Sequence, residues 1–429
     1  MLYYLFDWLD RVYDVPGAGV FHYLSFRAAM SVVTSILILV IFGKPFINFL
    51  RRKQIGETVR DLNLDGQKAK EGTPTMGGLL ILAAIVIPVL LFARLDNIYI
   101  LIMLGTTLWL GLVGFVDDYI KVFKKNKKGL PGKYKVFGQV SLGIVVGLLM
   151  MFHPDITVRE MSGVQGGNAT IISESAQNET EHLSQSVAVV TGHNMKSTRT
   201  TIPFVKNNEL DYAKLITWMG PWAERWVWLL YVIIVVLVVT AVSNAANLTD
   251  GIDGLATGVA SVNGGALAIL AWVSGNIITA NYLNIMYLPN IGELVVFIAA
   301  FMGATIGFLW FNTHPAEIFM GDTGSLAIGG IIAVYALLIR KELLLPLLCG
   351  IYVIEDLSVI IQTAGCKLYR RKHKLPPNQL VPVEKRPFLM TPIHHHYQKK
   401  GLAEEKIVMR FLIVALMLAL MSIITLKLR

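Results

Sequence analysis

Cysteine and charge are both scarce in this 429-residue chain, and each scarcity excludes a class of protein. The two cysteines, Cys349 and Cys366, lie on one apolar stretch. If that stretch is helical, a rise of about 1.5 Å per residue places them about 25 Å apart, which is too far for a disulfide. Charged residues make up 16% of the chain, against about 25% in an average soluble domain. The composition therefore excludes a soluble globular protein and a fold stapled by a disulfide.

Hydrophobic residues make up 54% of the chain and gather in long runs. A straight transmembrane helix needs about 20 apolar residues, so these runs predict an all-α integral membrane protein with about ten transmembrane helices, some of them short. We expect one polytopic domain over residues 1–429, whose first span is retained rather than cleaved as a signal peptide. The predicted spans lie near 21–43, 76–93, 98–116, 137–152, 226–243, 255–274, 293–311, 325–339, 343–364 and 407–426.

Basic residues give the chain a net charge of +9 and concentrate in the loops 44–75, 117–136 and 365–406. Cytoplasmic loops are rich in Lys and Arg, so these three are predicted to face the cytoplasm, with both termini outside. Nucleic acid is not an expected partner, because no soluble basic domain is present to bind it. Residues 154–222 are polar and fall on the outer side, where we expect an irregular or small β-rich loop insert.

Two adjacent acids, Asp117 and Asp118, follow the uncharged run from Ile98 to Val116. Acids are disfavoured at a helix C-terminus. Ionisable groups at membrane depth indicate a functional site. The alternative is that water at the membrane interface simply solvates both acids. Acids beside a cationic loop would suit Mg²⁺ and the phosphates that it bridges. The lysines of that loop are Lys121, Lys124, Lys125, Lys127, Lys128, Lys133 and Lys135.

Three glycine-rich motifs are predicted to begin helices on the same face. They are Gly-Thr-Pro-Thr-Met-Gly-Gly at 72–78, after Lys70, Asn-Leu-Thr-Asp-Gly-Ile-Asp-Gly at 247–254 and Phe-Met-Gly-Asp-Thr-Gly-Ser at 319–325. Helix capping by Asp250, Asp253, Asp322 or Thr323 remains an alternative. A helix start with free N–H groups can also bind phosphate. Because the Asp322 carboxylate would repel phosphate, we expect a cation bound at Asp322 to allow phosphate to approach.

Three consecutive histidines lie in the last basic loop, in Pro-Ile-His-His-His-Tyr at 392–397. Neighbours on a helix diverge by about 100°, so they are poorly placed to share one metal. Imidazoles suit donation to phosphates or a sugar instead. Glu355 and Asp356 lie deep in the ninth apolar run, past Pro346, which predicts a kinked or broken helix.

In this order, Phe-Val-Asp-Asp-Tyr, the 247–254 and 319–325 motifs and Pro-Ile-His-His-His-Tyr resemble the polyprenyl-phosphate N-acetylhexosamine-1-phosphate transferase superfamily, and within it the phospho-N-acetylmuramoyl-pentapeptide transferase family. The resemblance runs from Leu24 to Arg429 apart from the insert. It implies transfer of phospho-N-acetylmuramoyl-pentapeptide from UDP-MurNAc-pentapeptide to undecaprenyl phosphate, giving lipid I and UMP in peptidoglycan synthesis. It also implies Mg²⁺ dependence, a multi-pass place in the bacterial inner membrane with a cytoplasmic active site, and a homodimer.

The resemblance also implies residue roles. Asp117 is implied to be the general base, Asp118 its partner near the metal and Asp322 the Mg²⁺ ligand, while a covalent aspartate nucleophile stays open. Phe319 is implied to stack on uracil, with Asn247 and Asp250 near the nucleotide and sugar. Further implied substrate contacts are Lys70, Thr75, Lys121, Lys125, Lys133, His394, His395 and His396. Lys135 competes with Lys133 for its role.

Two other functions stay open. A relative that transfers N-acetylglucosamine-1-phosphate to the same lipid would share most of these motifs, although Pro-Ile-His-His-His-Tyr favours the muramoyl-pentapeptide enzymes. A transporter would use the acids as an ion relay, but it predicts acids spread through the mid-bilayer and internal repeats. Both the insert and the loop Lys372 to Lys385 look longer than is typical of the family.

Overall fold

The computed structural model describes residues 1–53, 70, 72–124, 126, 129–159, 194–204, 209–220, 225–283, 285–376 and 379–427. The described chain is mostly helical. Its α-helices are α1 Leu2–Tyr13, α2 Leu24–Arg52, α3 Gly78–Phe92, α4 Ile98–Val122, α5 Gly132–Phe152, α6 Val227–Thr249, α7 Leu255–Ser274, α8 Ile277–Leu283, α9 Glu293–Asn312, α10 Gly321–Leu338, α11 Leu345–Leu348, α12 Gly350–Lys372, α13 Ile393–Lys399 and α14 Glu404–Ile424. Short 3₁₀ helices cover Ala18–His22, Tyr212–Leu215, Thr217–Met219, Glu342–Leu344 and Val383–Lys385.

Within the described residues, eight helices are long and apolar enough to cross a membrane: α2, α4, α5, α6, α7, α9, α10 and α14. The segment Glu342–Leu348 and helix α12 pass the same test together, with a bend of 80° between them, and would make a ninth span. Helix α3 is apolar but has only 15 residues. The prediction of an all-α membrane protein is confirmed, and each of the ten predicted runs lies on helix.

The ninth run breaks as its proline and buried acids predicted. Pro346 lies in the first turn of α11, and the chain turns at Cys349 before α12 begins. This break lets α12 carry Glu355 toward the interior, where its side chain is fully buried.

Helix α4 is longer than its apolar run. It continues past the apolar span predicted near 98–116 and ends at Val122. Asp117 and Asp118 therefore lie inside the last turns of the helix rather than beyond it. The helix can continue because both carboxylates are buried against neighbouring elements instead of facing lipid.

Helix α10 forms the centre of the bundle, and every residue from Thr323 to Leu338 is buried. Glycines allow neighbouring helices to approach its start closely. A Cβ on Gly114 of α4 would lie 2.2 Å from the carbonyl oxygen of Asp322, and a Cβ on Gly78 of α3 would lie 2.2 Å from the nitrogen of Gly324. These contacts place the end of α4 and the beginnings of α3 and α10 side by side.

A buried ion pair joins α2 to α9. Arg27 Nη1 and Nη2 donate to the Glu293 carboxylate at 2.6 and 2.7 Å, and Arg27 also donates to the carbonyl of Phe92 at 3.1 Å. The two charges compensate each other, so the pair links three helices and needs no ligand to explain it.

The described part of 154–222 contains four short strands. Val158–Arg159 (β1) pairs antiparallel with Asn194–Met195 (β2), and Arg199–Thr201 (β3) with Glu209–Asp211 (β4). The second pair packs on the connection after α10, where Thr201 N–H donates to the carbonyl of Arg340 at 3.2 Å. The described part of this segment therefore contains short strands, and its place on the outer face stays a prediction.

Candidate active site

Three aspartates from two helices meet at one point. Asp117 and Asp118 come from the end of α4 and Asp322 from the first turn of α10, and one carboxylate oxygen of each lies within 4.8 Å of the others. Asp117 and Asp118 are buried, and Asp322 is partly buried. The structure thus brings together the three predicted catalytic acids, although Asp322 lies about 200 positions after the other two in the sequence.

Asp118 is held by the N-terminus of α10. The N–H of Asp322 donates to its Oδ1 at 3.1 Å, and the N–H and hydroxyl of Thr323 donate to its Oδ2 at 2.9 and 2.6 Å. A carboxylate is stabilised at a helix start by free N–H groups and the helix dipole. Capping of α10 by Asp322 or Thr323 is therefore not what occurs; Met320 is the N-cap and makes no side-chain bond.

Two lysines lie between Asp117 and Asp322. Lys121 Nζ is 2.5 Å from Asp117 Oδ2 and 3.1 Å from Asp322 Oδ2. Lys135 Nζ is 3.1 Å from Asp117 Oδ1 and also contacts Asp322 Oδ2. Asp117 also accepts from the N–H of Leu130, at 2.6 Å from Oδ1. Two ammonium groups beside three carboxylates leave one negative charge uncompensated.

Lys135, rather than Lys133, faces the carboxylates. Lys133 is exposed, and its Nζ lies 5.1 Å from the ring centroid of Tyr134. Both lysines lie in the first turn of α5, which begins at Gly132. Residues two apart on a helix differ by about 200° in direction, so only one of them can face the site. Lys125, the other predicted contact in this loop, lies outside the described residues.

The glycine-rich motifs border the aspartates. Asn247, in the last turn of α6, donates from Nδ2 to Asp322 Oδ1 at 3.0 Å and to Ser325 Oγ at 2.8 Å. Thr75 is close to Gly321, where a Cβ would lie 3.1 Å from Thr75 Oγ1 and 2.6 Å from Asp118 Oδ2. These contacts place the predicted residues Asn247 and Thr75 beside the acids.

Phe319 joins two motifs through its main chain. Its N–H donates to the carbonyl of Pro74 at 2.8 Å, and its carbonyl accepts from Gly77 at 2.9 Å. Phe319 is partly exposed. Asp250 follows the end of α6 and is partly buried.

A second polar cluster surrounds Lys70. Its Nζ is 2.7 Å from Asp253 Oδ1 and 2.5 Å from Glu404 Oε1. Asp253 Oδ2 is 3.0 Å from Nδ1 of His314. Asp253 is therefore not the cap of α7, whose N-cap is Gly254 at φ 78°. Sequence reasoning missed His314 and Glu404; for His314 the only signal was its position five residues before Phe319, in the same connection.

The three histidines point to different partners, as their helical spacing predicted. Nδ1 of His394 is 3.0 Å from Oε2 of Glu355, and both side chains are fully buried. His395 Nδ1 lies 2.7 Å from Gln398 Oε1, and His396 Nδ1 accepts from the N–H of Leu389 at 3.1 Å. Burial, helped by the charge of His394, lowers the pKa of His395 to about 4, so this imidazole is neutral at pH 7.

Comparisons with known proteins match this chain to one family. The model of glycosyl transferase family 4 matches residues 100–340, and signature 1 of the phospho-N-acetylmuramoyl-pentapeptide-transferases matches residues 70–82. Three relatives that carry the name phospho-N-acetylmuramoyl-pentapeptide-transferase are similar over 100% of this chain and 100% of their own. Those from Flavobacterium johnsoniae, Flavobacterium psychrophilum and Amoebophilus asiaticus are 56%, 53% and 52% identical.

Proposed function

This chain belongs to the phospho-N-acetylmuramoyl-pentapeptide transferases of glycosyl transferase family 4, and on that premise we propose how it works. The protein transfers phospho-N-acetylmuramoyl-pentapeptide from UDP-MurNAc-pentapeptide to undecaprenyl phosphate, giving lipid I and UMP in peptidoglycan synthesis. The observation that supports an active site at this place is that Asp117, Asp118 and Asp322 lie together beside two lysines.

The aspartates fit a Mg²⁺ ion, which we assign to Asp322 and Asp118. Mg²⁺ prefers oxygen ligands, and three carboxylates with one uncompensated charge supply them within 4.8 Å of one another. When bound, the ion would polarise the diphosphate oxygens and offset their charge. The two lysines that now neutralise the carboxylates would then be free to bind phosphate oxygens.

Asp117 is assigned as the general base. A phosphate oxygen of undecaprenyl phosphate attacks the phosphorus that bears the sugar, and the bond from that phosphorus to UMP breaks. Asp117 takes the proton of the attacking phosphate, which leaves the oxygen a better nucleophile. Lys121 and Lys135 contact Asp117 already, so they lie where the charge of the transferred phosphoryl group develops.

The remaining predicted contacts are assigned to the nucleotide, the sugar and the diphosphate. Phe319 stacks on uracil, with Asn247 and Asp250 near the nucleotide and sugar. Lys70, Thr75 and Lys125 bind the nucleoside or phosphates, and Lys135 takes the phosphate contact that the resemblance assigned to Lys133. His394, His395 and His396 border the same site. Support for these roles comes from the family resemblance and, for Asn247 and Thr75, from their proximity to the acids.

The site is proposed to open to the cytoplasm from a multi-pass protein of the bacterial inner membrane. The support is the concentration of Lys and Arg in the loops that flank the aspartates. A homodimer is proposed from the family resemblance alone.

UMP release by the purified protein in lipid vesicles tests this function. With Mg²⁺, undecaprenyl phosphate and UDP-MurNAc-pentapeptide, we expect turnover that Asp117→Asn, Asp118→Asn and Asp322→Asn each lower by about 100-fold or more. Asp155→Asn, at an exposed carboxylate, is the control. Full activity in Asp322→Asn would overturn its role as metal ligand, and turnover of UDP-N-acetylglucosamine alone would overturn the substrate.

A further inference from the structure

Four side chains from four separate segments form a closed network around Lys70. Lys70 precedes the 72–78 motif, Asp253 lies between α6 and α7, His314 between α9 and α10, and Glu404 in the first turn of α14. The polar atoms of Asp253, His314 and Glu404 all lie within 4.8 Å of one another. Three parts of the predicted site are thereby tied to the last helix of the chain.

Glu404 makes two of the contacts that close this network. Its Oε1 accepts from Lys70 Nζ at 2.5 Å and from the N–H of Asp253 at 2.8 Å. The same oxygen therefore holds the lysine side chain and the main chain of the 247–254 motif. The side chain of Glu404 is 10% exposed and that of Lys70 18% exposed, so water screens the pair less than it would a surface ion pair.

Asp253 is fixed from both sides. Its Oδ1 accepts from Lys70 at 2.7 Å, and its Oδ2 lies 3.0 Å from His314 Nδ1 and accepts from the N–H of Ala316 at 3.2 Å. Because the Lys70 ammonium group already contacts both carboxylates, a lysine clamp explains this cluster better than a second metal ion does. A lysine side chain is otherwise long and flexible, with about 2 kcal/mol of rotamer entropy.

We propose that Glu404 is a positioning residue for nucleotide binding. It holds Lys70 and the 247–254 motif in the orientation that binds the UDP-linked substrate. The last helix, α14, thereby contributes to a site that distant segments form. The inference rests on the proposed function, because Lys70 is assigned there as a substrate contact. Glu404 itself touches no reacting group and acts through Lys70 and Asp253.

The test is a set of Glu404 variants with two separate readouts. In vesicles, Glu404→Ala is expected to raise KM for UDP-MurNAc-pentapeptide about tenfold while kcat and KM for undecaprenyl phosphate change less than about twofold, since a clamp acts on binding rather than on the transferred group. Calorimetric binding of UMP is expected to weaken by a similar factor. Glu404→Gln, which keeps one acceptor oxygen and the side-chain volume, is expected to recover part of both values. Glu384→Ala, the same change at an exposed glutamate, is the control.

A double-mutant cycle shows whether Glu404 acts through Lys70. If it does, Lys70→Ala/Glu404→Ala binds UMP no more weakly than Lys70→Ala alone. Additive losses would overturn the action through Lys70, and a fall in kcat without a change in KM would overturn the positioning role. If Glu404→Ala fails to fold, the same comparison uses Glu404→Gln, and unchanged UMP binding there also overturns it. A wild-type protein that binds UMP but releases none from UDP-MurNAc-pentapeptide contradicts the proposed function and leaves the positioning role to the binding data.

Discussion

At the scale of single residues, the two neighbouring aspartates have different surroundings, which suit the different roles proposed for them. Asp118 accepts main-chain and hydroxyl donors from the start of α10, so its orientation is fixed by the fold. Asp117 accepts one main-chain N–H, that of Leu130, and contacts two lysine side chains, which can move when substrate binds. A fixed carboxylate suits a metal ligand, whereas one that meets mobile cations suits proton transfer near phosphate.

The difference between two lysines in one turn of α5 gives a residue-scale prediction. Lys135→Ala is expected to lower kcat by about 100-fold, because its ammonium group lies between Asp117 and Asp322, where charge develops in transfer. Lys133→Ala removes an exposed charge and is expected to change kcat less than about fivefold. UMP release at saturating substrate measures both. The reverse order of effects would show that Lys133 is the substrate contact.

At the scale of elements, the close crossing of α4 and α10 sets the distance between the acids. Gly114 lies one helical turn before Asp117 and Asp118 and touches the main chain of Asp322. A side chain there must push the two helices apart, and the displacement would separate carboxylates that now lie within 4.8 Å. Shape at a glycine therefore controls the geometry of the charged groups.

Gly114→Ala tests this crossing. A Cβ would lie 2.2 Å from the Asp322 carbonyl oxygen, so we expect a loss of about 1 to 3 kcal/mol in stability and about 100-fold in kcat. Gly105→Ala is the matched control in the same helix, since its Cβ would meet no atom within 4 Å of it among the described residues. The control should keep wild-type activity and gain up to about 1 kcal/mol from helix propensity. Thermal unfolding in detergent and UMP release give the two values, and equal behaviour of both variants would contradict the crossing argument.

At the scale of the whole molecule, the apolar runs and acidic motifs predicted the helices and the meeting of the acids, whereas the residues that connect the helices predicted little. The ten runs lie on helix, and Asp117, Asp118 and Asp322 meet, because hydropathy and unusual acids are visible in one dimension. The true end of α4 was hidden, since a helix can continue past its apolar run when buried partners receive its polar residues. The sequence alone could not decide whether Lys133 or Lys135 faces the acids, because the direction of each side chain depends on the residue at which α5 begins. His314 and Glu404 are ordinary residues in sequence, and only their packing makes them partners of Lys70.

The two ends of α10 have different surroundings, so a substitution at the far end is expected to change stability without changing catalysis. Asp322 lies in its first turn, while the buried residues Arg340 to Glu342 follow its last turn and are covered by the insert. An 18-residue helix is about 27 Å long.

The hydroxyl of Tyr212 donates to Glu342 Oε1 at 3.0 Å, so Tyr212→Phe is expected to lower stability by about 1 to 3 kcal/mol. UMP release at a temperature where the variant stays folded should match wild type, and Tyr13→Phe, at an exposed tyrosine, should change neither value. If Tyr212→Phe lost activity without losing stability, the insert would have to influence the aspartates through the length of α10, rather than only cover its far end.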